Sequence, residues 1–156
     1  MKKSQYLIIV ILLLLTARLS GQNAIGLRIG AGGAEISFQT SNIFPDRLEA
    51  DIGWSWSPGW NSCIFTGIYQ WVFPIESGFN WHAGAGAALG LWSYTGREPE
   101  KYNGGISLAL VLNGGAEYNF TEIPVQLSLD LRLTPYLLSR GATPWFDLGI
   151  GIRYLF

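Results

Sequence analysis

The 156-residue sequence has one cysteine, one histidine and one methionine. Cys63 has no second cysteine to form an internal disulfide with, and reads as a small apolar filler. His82 stands among scattered carboxylates with no metal-ligand spacing. Catalysis through histidine would have to use His82, and no His-x-Ser arrangement accompanies it. Charge is scarce too: Asp, Glu, Lys and Arg make up 13%, where a soluble domain usually carries about a quarter. No run or patch of basic residues exists, which argues against nucleic acid as a partner. Beyond residue 22 no long stretch repeats with period 3.6, so helices are not expected. The glycine-rich stretches "RIGAGG" and "HAGAGAALG" do not open a helix after a strand, so they imply close packing rather than nucleotide binding.

The longest apolar run is at the start. "MKK" is followed by "YLIIVILLLLT", short for a membrane-spanning helix, which needs roughly 20 residues. Basic n-region, apolar h-region and the small residues of "RLSGQ" together make residues 1–21 an expected signal peptide, cut after Gly21. The rival is an uncleaved anchor helix; no cysteine stands by the cut to carry a lipid. Three of the 10 Lys and Arg (Lys2, Lys3 and Arg18) lie in this leader and none of the 11 Asp and Glu does. Residues 22–156 are therefore acidic overall and of a length for one domain.

What the sequence has in plenty is aromatic residues, at 14%, and 20 glycines, arranged in segments that alternate with period 2. Eight such segments are expected as strands, over residues 24–30, 33–39, 47–56, 62–73, 79–91, 106–120, 125–133 and 147–156. The fourth alternates least cleanly. Two hairpin registers close with matched faces. Arg28 opposite Glu35 places Leu27 against Ile36. Trp71 opposite Trp81 places Phe73 against Phe79 and Gln70 against His82. Compact connections ("FPIESGF", "FTEIP") are expected on one rim. The longer ones ("SPGWN", "WSYTGREPEKYNG", "LLSRGATP") fall on the other, apart from the tight first turn.

Alternation does not say which face points inward, since a soluble lipocalin-like barrel alternates as well. Three features favour an apolar exterior. Val125, Leu127, Leu129, Leu131 and Leu133 form an unbroken row. Tyr69, Trp71, Phe73, Phe79, Trp81, Tyr118, Phe120, Tyr154 and Phe156 gather at strand ends on one rim, as a membrane-interface girdle does. The opposite parity holds the charge: Arg28, Glu35, Glu49, Asp51, Glu117, Asp130, Arg132, Asp147 and Arg153. Enclosed in a narrow barrel these must pair, as a polar plug or salt-bridge network rather than an open pore. Inward Gly84, Gly86, Gly90, Gly149 and Gly151 are expected to make room for the arginines. The fold class expected is all-β: an eight-stranded antiparallel up-and-down transmembrane β-barrel.

On "AIGLRIGAGGAEISFQ", "GIYQWVFPIESGFNWHAGAGAALG", "GAEYNFTEIPVQLSLDLR" and the final "GIRYLF", the sequence resembles the small eight-stranded outer-membrane β-barrels of the OmpA/OmpX-like group. The resemblance runs through essentially all of residues 22–156. It implies the outer membrane of a Gram-negative bacterium, surrounding lipid and the barrel-assembly machinery as partners, and a monomer. Tyr154 and Phe156 are similar to the carboxy-terminal aromatic signal that this machinery reads. No catalytic, metal or cofactor-binding residues are assigned and no cofactor is implied. The role expected is structural, in envelope integrity or surface interaction, with the loop over residues 93–104 as contact surface. The alternatives are a lipid A deacylase or acyltransferase, a small pore, and the soluble barrel.

Overall fold

In the computed structural model, residues 23–41, 46–57, 60–94, 104–138 and 144–156 are described. The expected signal peptide and most of the 93–104 loop lie outside them. The strands are β1 (Asn23–Gly30), β2 (Gly33–Thr40), β3 (Arg47–Ser57), β4 (Trp60–Glu76), β5 (Phe79–Tyr94), β6 (Gly105–Asn119), β7 (Val125–Leu133), β8 (Tyr136–Leu138) and β9 (Phe146–Leu155). Each pairs antiparallel with its chain neighbour, except that β7 and β8 both pair with β6 and form one stave. β9 pairs with β1 and closes the ring. The described residues therefore form eight staves, as the alternation predicts.

β7 and β8 are separate because Pro135 has no N–H to give the ladder. Its carbonyl accepts from the Leu110 amide at 3.0 Å, and the Thr134 amide turns to the Trp145 carbonyl at 2.9 Å. The residues after Leu133 thus return to the wall, where the sequence reading had placed a loop.

The ladder spirals. Rungs from Gly26 lead through Ser37, Asp51, Thr66 and Ala88 to Ala109. Rungs from Gly115 lead through Asp130 and Gly149 to Gly30. One circuit is thus displaced by six residues along β6 and four along β1. A stagger of that size in eight staves tilts the strands by about 40° and leaves an interior just wide enough for side chains.

The first hairpin has the expected register, Arg28 opposite Glu35 and Leu27 opposite Ile36. The β4–β5 register differs by two residues: Trp71 faces Ala83, Phe73 faces Trp81 and Val72 faces His82. The turn explains the difference. Gly78 adopts φ +82° and closes a two-residue turn, with Glu76 opposite Phe79. The irregularity between Pro74 and Glu76 then restores the parity of the pairing. A two-residue slip leaves each side chain on its own face, so the division into inner and outer rows is unaffected.

The polarity is inverted relative to a water-soluble protein. Leu27, Ile29, Ile52, Phe65, Leu110, Leu112, Leu129, Ile150 and Ile152 are exposed on the outside, while four arginines and six carboxylates are mostly or fully buried within. At the rim that carries Asn23 and Phe156, Phe73 stacks on Trp81 and Tyr118 meets Phe120 edge-on. This is a transmembrane β-barrel, and the lipocalin-like alternative, which needs its apolar rows inside, does not fit it.

Candidate functional site: the barrel interior

Every second residue of a strand faces the lumen, so the inner wall is written by one parity of each stave. Arg28, Glu49, Asp51, Glu117, Asp130, Arg132, Asp147 and Arg153 are buried in the lumen, and Glu35 is partly buried beside them. Arg28 on β1 and Arg132 on β7 stand two staves apart, on either side of β9, and project into the lumen together.

Arg28 holds Asp147 at 2.7 Å and Asp130 at 2.8 Å, with Glu35 at 3.4 Å. Arg132 reaches four carboxylates: Glu35 at 2.8 Å, Glu49 at 2.7 Å, Asp51 at 2.6 Å and, more loosely, Asp130 at 3.6 Å. Arg153 donates to Glu49 at 3.1 Å, Ser37 at 2.9 Å and Ser128 at 2.7 Å. Glu35 and Asp130 are shared by Arg28 and Arg132, and Glu49 by Arg132 and Arg153, so the three guanidiniums form one connected network. Planar five-donor groups suit such multi-carboxylate bridging.

Glu117 stands apart from these three. It pairs with Arg47 at 2.7 Å, and Arg47 also donates to Gln70 at 2.8 Å. Gln70 donates on to Asn113 at 2.8 Å. The sequence reading passed over Arg47, which begins β3 with the same parity as Glu49 and Asp51; that parity was the available signal. His82 is buried with Nδ1 3.6 Å from Glu117. It lies across from Val72 rather than Gln70, because of the register shift in β4–β5.

Asp147 has a second task. Its Oδ1 accepts from the Ala31 amide at 2.6 Å, satisfying a backbone donor of the tight β1–β2 turn. Backbone donors near lipid need such partners.

Sequence reasoning also missed an apolar section of the lumen. Ile64, Ile68, Ala88 and Val111 form a buried cluster, inward from β4, β5 and β6, with Trp92 against it. The uneven alternation of the fourth segment was its trace: there both parities carry large apolar residues.

The inward glycines divide by function. A Cβ on Gly149 would overlap the Arg28 guanidinium, and one on Gly151 would meet Ser128 and Arg153. These two make room for arginines, as expected. Gly84 and Gly86 do not: Cβ atoms there would meet Gln70, Ile68 and backbone of β4, so they serve the close approach of two strands. Among described contacts Gly90 meets Ser107 Oγ through its carbonyl at 3.5 Å, not an arginine. Gly149→Val should therefore destabilise the barrel by about 1–3 kcal/mol through overpacking. Urea unfolding in detergent, followed by tryptophan emission, reads it; an unchanged midpoint would mean that Arg28 can move aside freely.

The arrangement does one thing well: it compensates buried charge. Among the described residues no cluster of His, Cys, Asp and Glu could hold a metal ion.

No protein-family model matches the sequence, and no curated protein does. Solved structures do. The N-terminal β-barrel domain of Pseudomonas aeruginosa OprF superposes with a TM-score of 0.64 at 16% identity, over 86% of this chain and 95% of that one. Neisserial surface protein A (NspA) gives 0.58 at 17% identity, over 86% and 93%. At such identities the likeness is one of fold.

Proposed function

We propose that the chain is an integral outer-membrane β-barrel protein of a Gram-negative bacterium, with a structural or surface-interaction role in the envelope. The observation that carries this reading is the inverted polarity. A closed barrel with aliphatic rows outside and a paired ionic network inside is stable only with hydrocarbon around it. The similarity in fold to OprF and NspA supports it.

A sealing rather than conducting role is supported by the lumen itself. The Arg28–Arg132–Arg153 network fills the middle, and Ile64, Ile68, Ala88 and Val111 add an apolar section. A structural rather than catalytic role is supported by the placement of His82, enclosed beside Glu117 and away from the lipid-facing surface. In this reading the Asn23 and Phe156 rim faces the periplasm, and the other rim, with the loop over 93–104, is the contact surface.

Membrane-extracted protein should migrate faster on a gel unheated than after boiling and should fractionate with the outer membrane. Recovery as a soluble periplasmic protein with no mobility shift would overturn the reading. Lipid A composition should be the same with and without the protein; a changed acylation pattern would favour the lipid-modifying alternative.

Phe156 and Tyr154 are proposed as the signal read by the assembly machinery. Their rings stack with centroids 6.4 Å apart, and the Phe156 amide and carbonyl bond to Asn23. Deletion of Phe156 should lower the amount of protein assembled in cells several-fold, while detergent refolding of the same variant still yields barrel. Normal assembly in cells would remove Phe156 from this role.

A further inference from the structure

The interior mouth at the Asn23 and Phe156 rim holds a cavity of about 180 Å³. At about 30 Å³ per water in the liquid, that is the space of some six waters, or of one sugar or amino-acid unit. We propose that it binds a small, uncharged solute carrying a secondary amide.

The chemistry of the lining selects this class. Its charged residues, Arg47 and Glu117, are already joined at 2.7 Å, so a free anion would meet Glu117 and a free cation Arg47. The girdle aromatics point outward, so no ring in the cavity lining offers a stacking face. What remains is carboxamide: Gln39, Asn80, Asn119 and Gln126 come from four strand ends to one cavity. A carboxamide presents a donor and an acceptor side by side, which matches the C=O and N–H of another amide.

Two of these groups are only half used. Gln39 is 2% exposed and donates its Nε2 to Glu49, while its Oε1 has no donor. Asn119 Oδ1 is likewise a buried acceptor without a donor. Buried acceptors of this kind are costly to leave unmet. Both residues line the cavity, so a turn of either carboxamide would present its unmet acceptor to the N–H of a solute, while Asn80, whose Nδ2 reaches Glu117 at 3.2 Å, lies on the same wall. The site stands on the cavity alone and does not require the proposed membrane or role.

The test is NMR titration of the whole folded chain in detergent micelles. Three probes are used: N-acetylglucosamine, N-acetylglycinamide, and glucose as an amide-free control. Saturable shifts of the Gln39, Asn80 and Asn119 side-chain amides are expected, with a Kd on the order of 10 mM or tighter for so small a ligand. A response to the amino sugar alone identifies saccharide as the source, and a response to N-acetylglycinamide alone identifies peptide. Gln39→Leu and Asn119→Leu should each weaken binding by about tenfold, with heat-modifiable mobility showing that the variants fold. If Gln39→Leu does not fold, the less buried Asn119→Leu decides. No saturable shift with either amide, glucose binding as well as they do, or wild-type affinity in the folded variants would overturn the proposal.

Discussion

Arg132→Ala is expected to lower the free energy of unfolding by about 3–5 kcal/mol, because it strands buried carboxylates without their partner. Arg132 is 3% exposed, and its guanidinium is within 2.8 Å of Glu35, Glu49 and Asp51. Arg28 and Arg153 cannot take over. Arg28 already serves Asp130 and Asp147, and Arg153 reaches Glu49 but not Asp51 among the described contacts. Asp51 would be left without a cation. Urea unfolding in detergent micelles checks the loss, and adding Asp51→Leu to Arg132→Ala should recover part of it. Additive losses in the double variant would show that the two residues are not coupled, and an unchanged transition in Arg132→Ala would sink the network as a source of stability.

Leu129→Arg should be nearly as damaging for a different reason. Leu129 is 51% exposed, midway along β7, between Ala116 on β6 and Ile150 on β9. In a bilayer that surface meets hydrocarbon, and an arginine near the midplane of a transmembrane barrel costs about 2–4 kcal/mol. In a water-soluble barrel the same change, at an exposed site, would stay within about 0.5 kcal/mol. Folding into phospholipid vesicles, followed by the gel mobility shift and by urea titration, separates the two. A neutral result would mean that the outer rows do not face lipid.

The sequence was most legible where the physics is local. Alternation on a strand is a property of the backbone, so the parity of Arg28, Glu49, Asp130 or Arg153 could be read without knowing any partner. The same holds for the outer rows and for the first hairpin, whose two-residue turn leaves little choice of register. Legibility fell where a local detail carried consequences. The turn at Gly78 and the irregularity by Pro74 moved the β4–β5 pairing by two residues. Pro135 interrupted a stave instead of ending it. In β4 both parities are apolar, so Ile64 and Ile68 could not be told from lipid-facing residues by pattern.

The sequence alone determined a β-barrel with apolar rows on one face and charge on the other, because side-chain direction along a strand depends only on odd and even position. Only the tertiary structure decided who meets whom inside. Arg28 and Asp130 are 102 residues apart, and Arg153 and Glu49 are 104 apart. Their meeting is set by ring closure between β1 and β9 and by the stagger of the ladder, which fix the height of each inward side chain. No residue encodes that height by itself; it follows from the summed registers of all the staves.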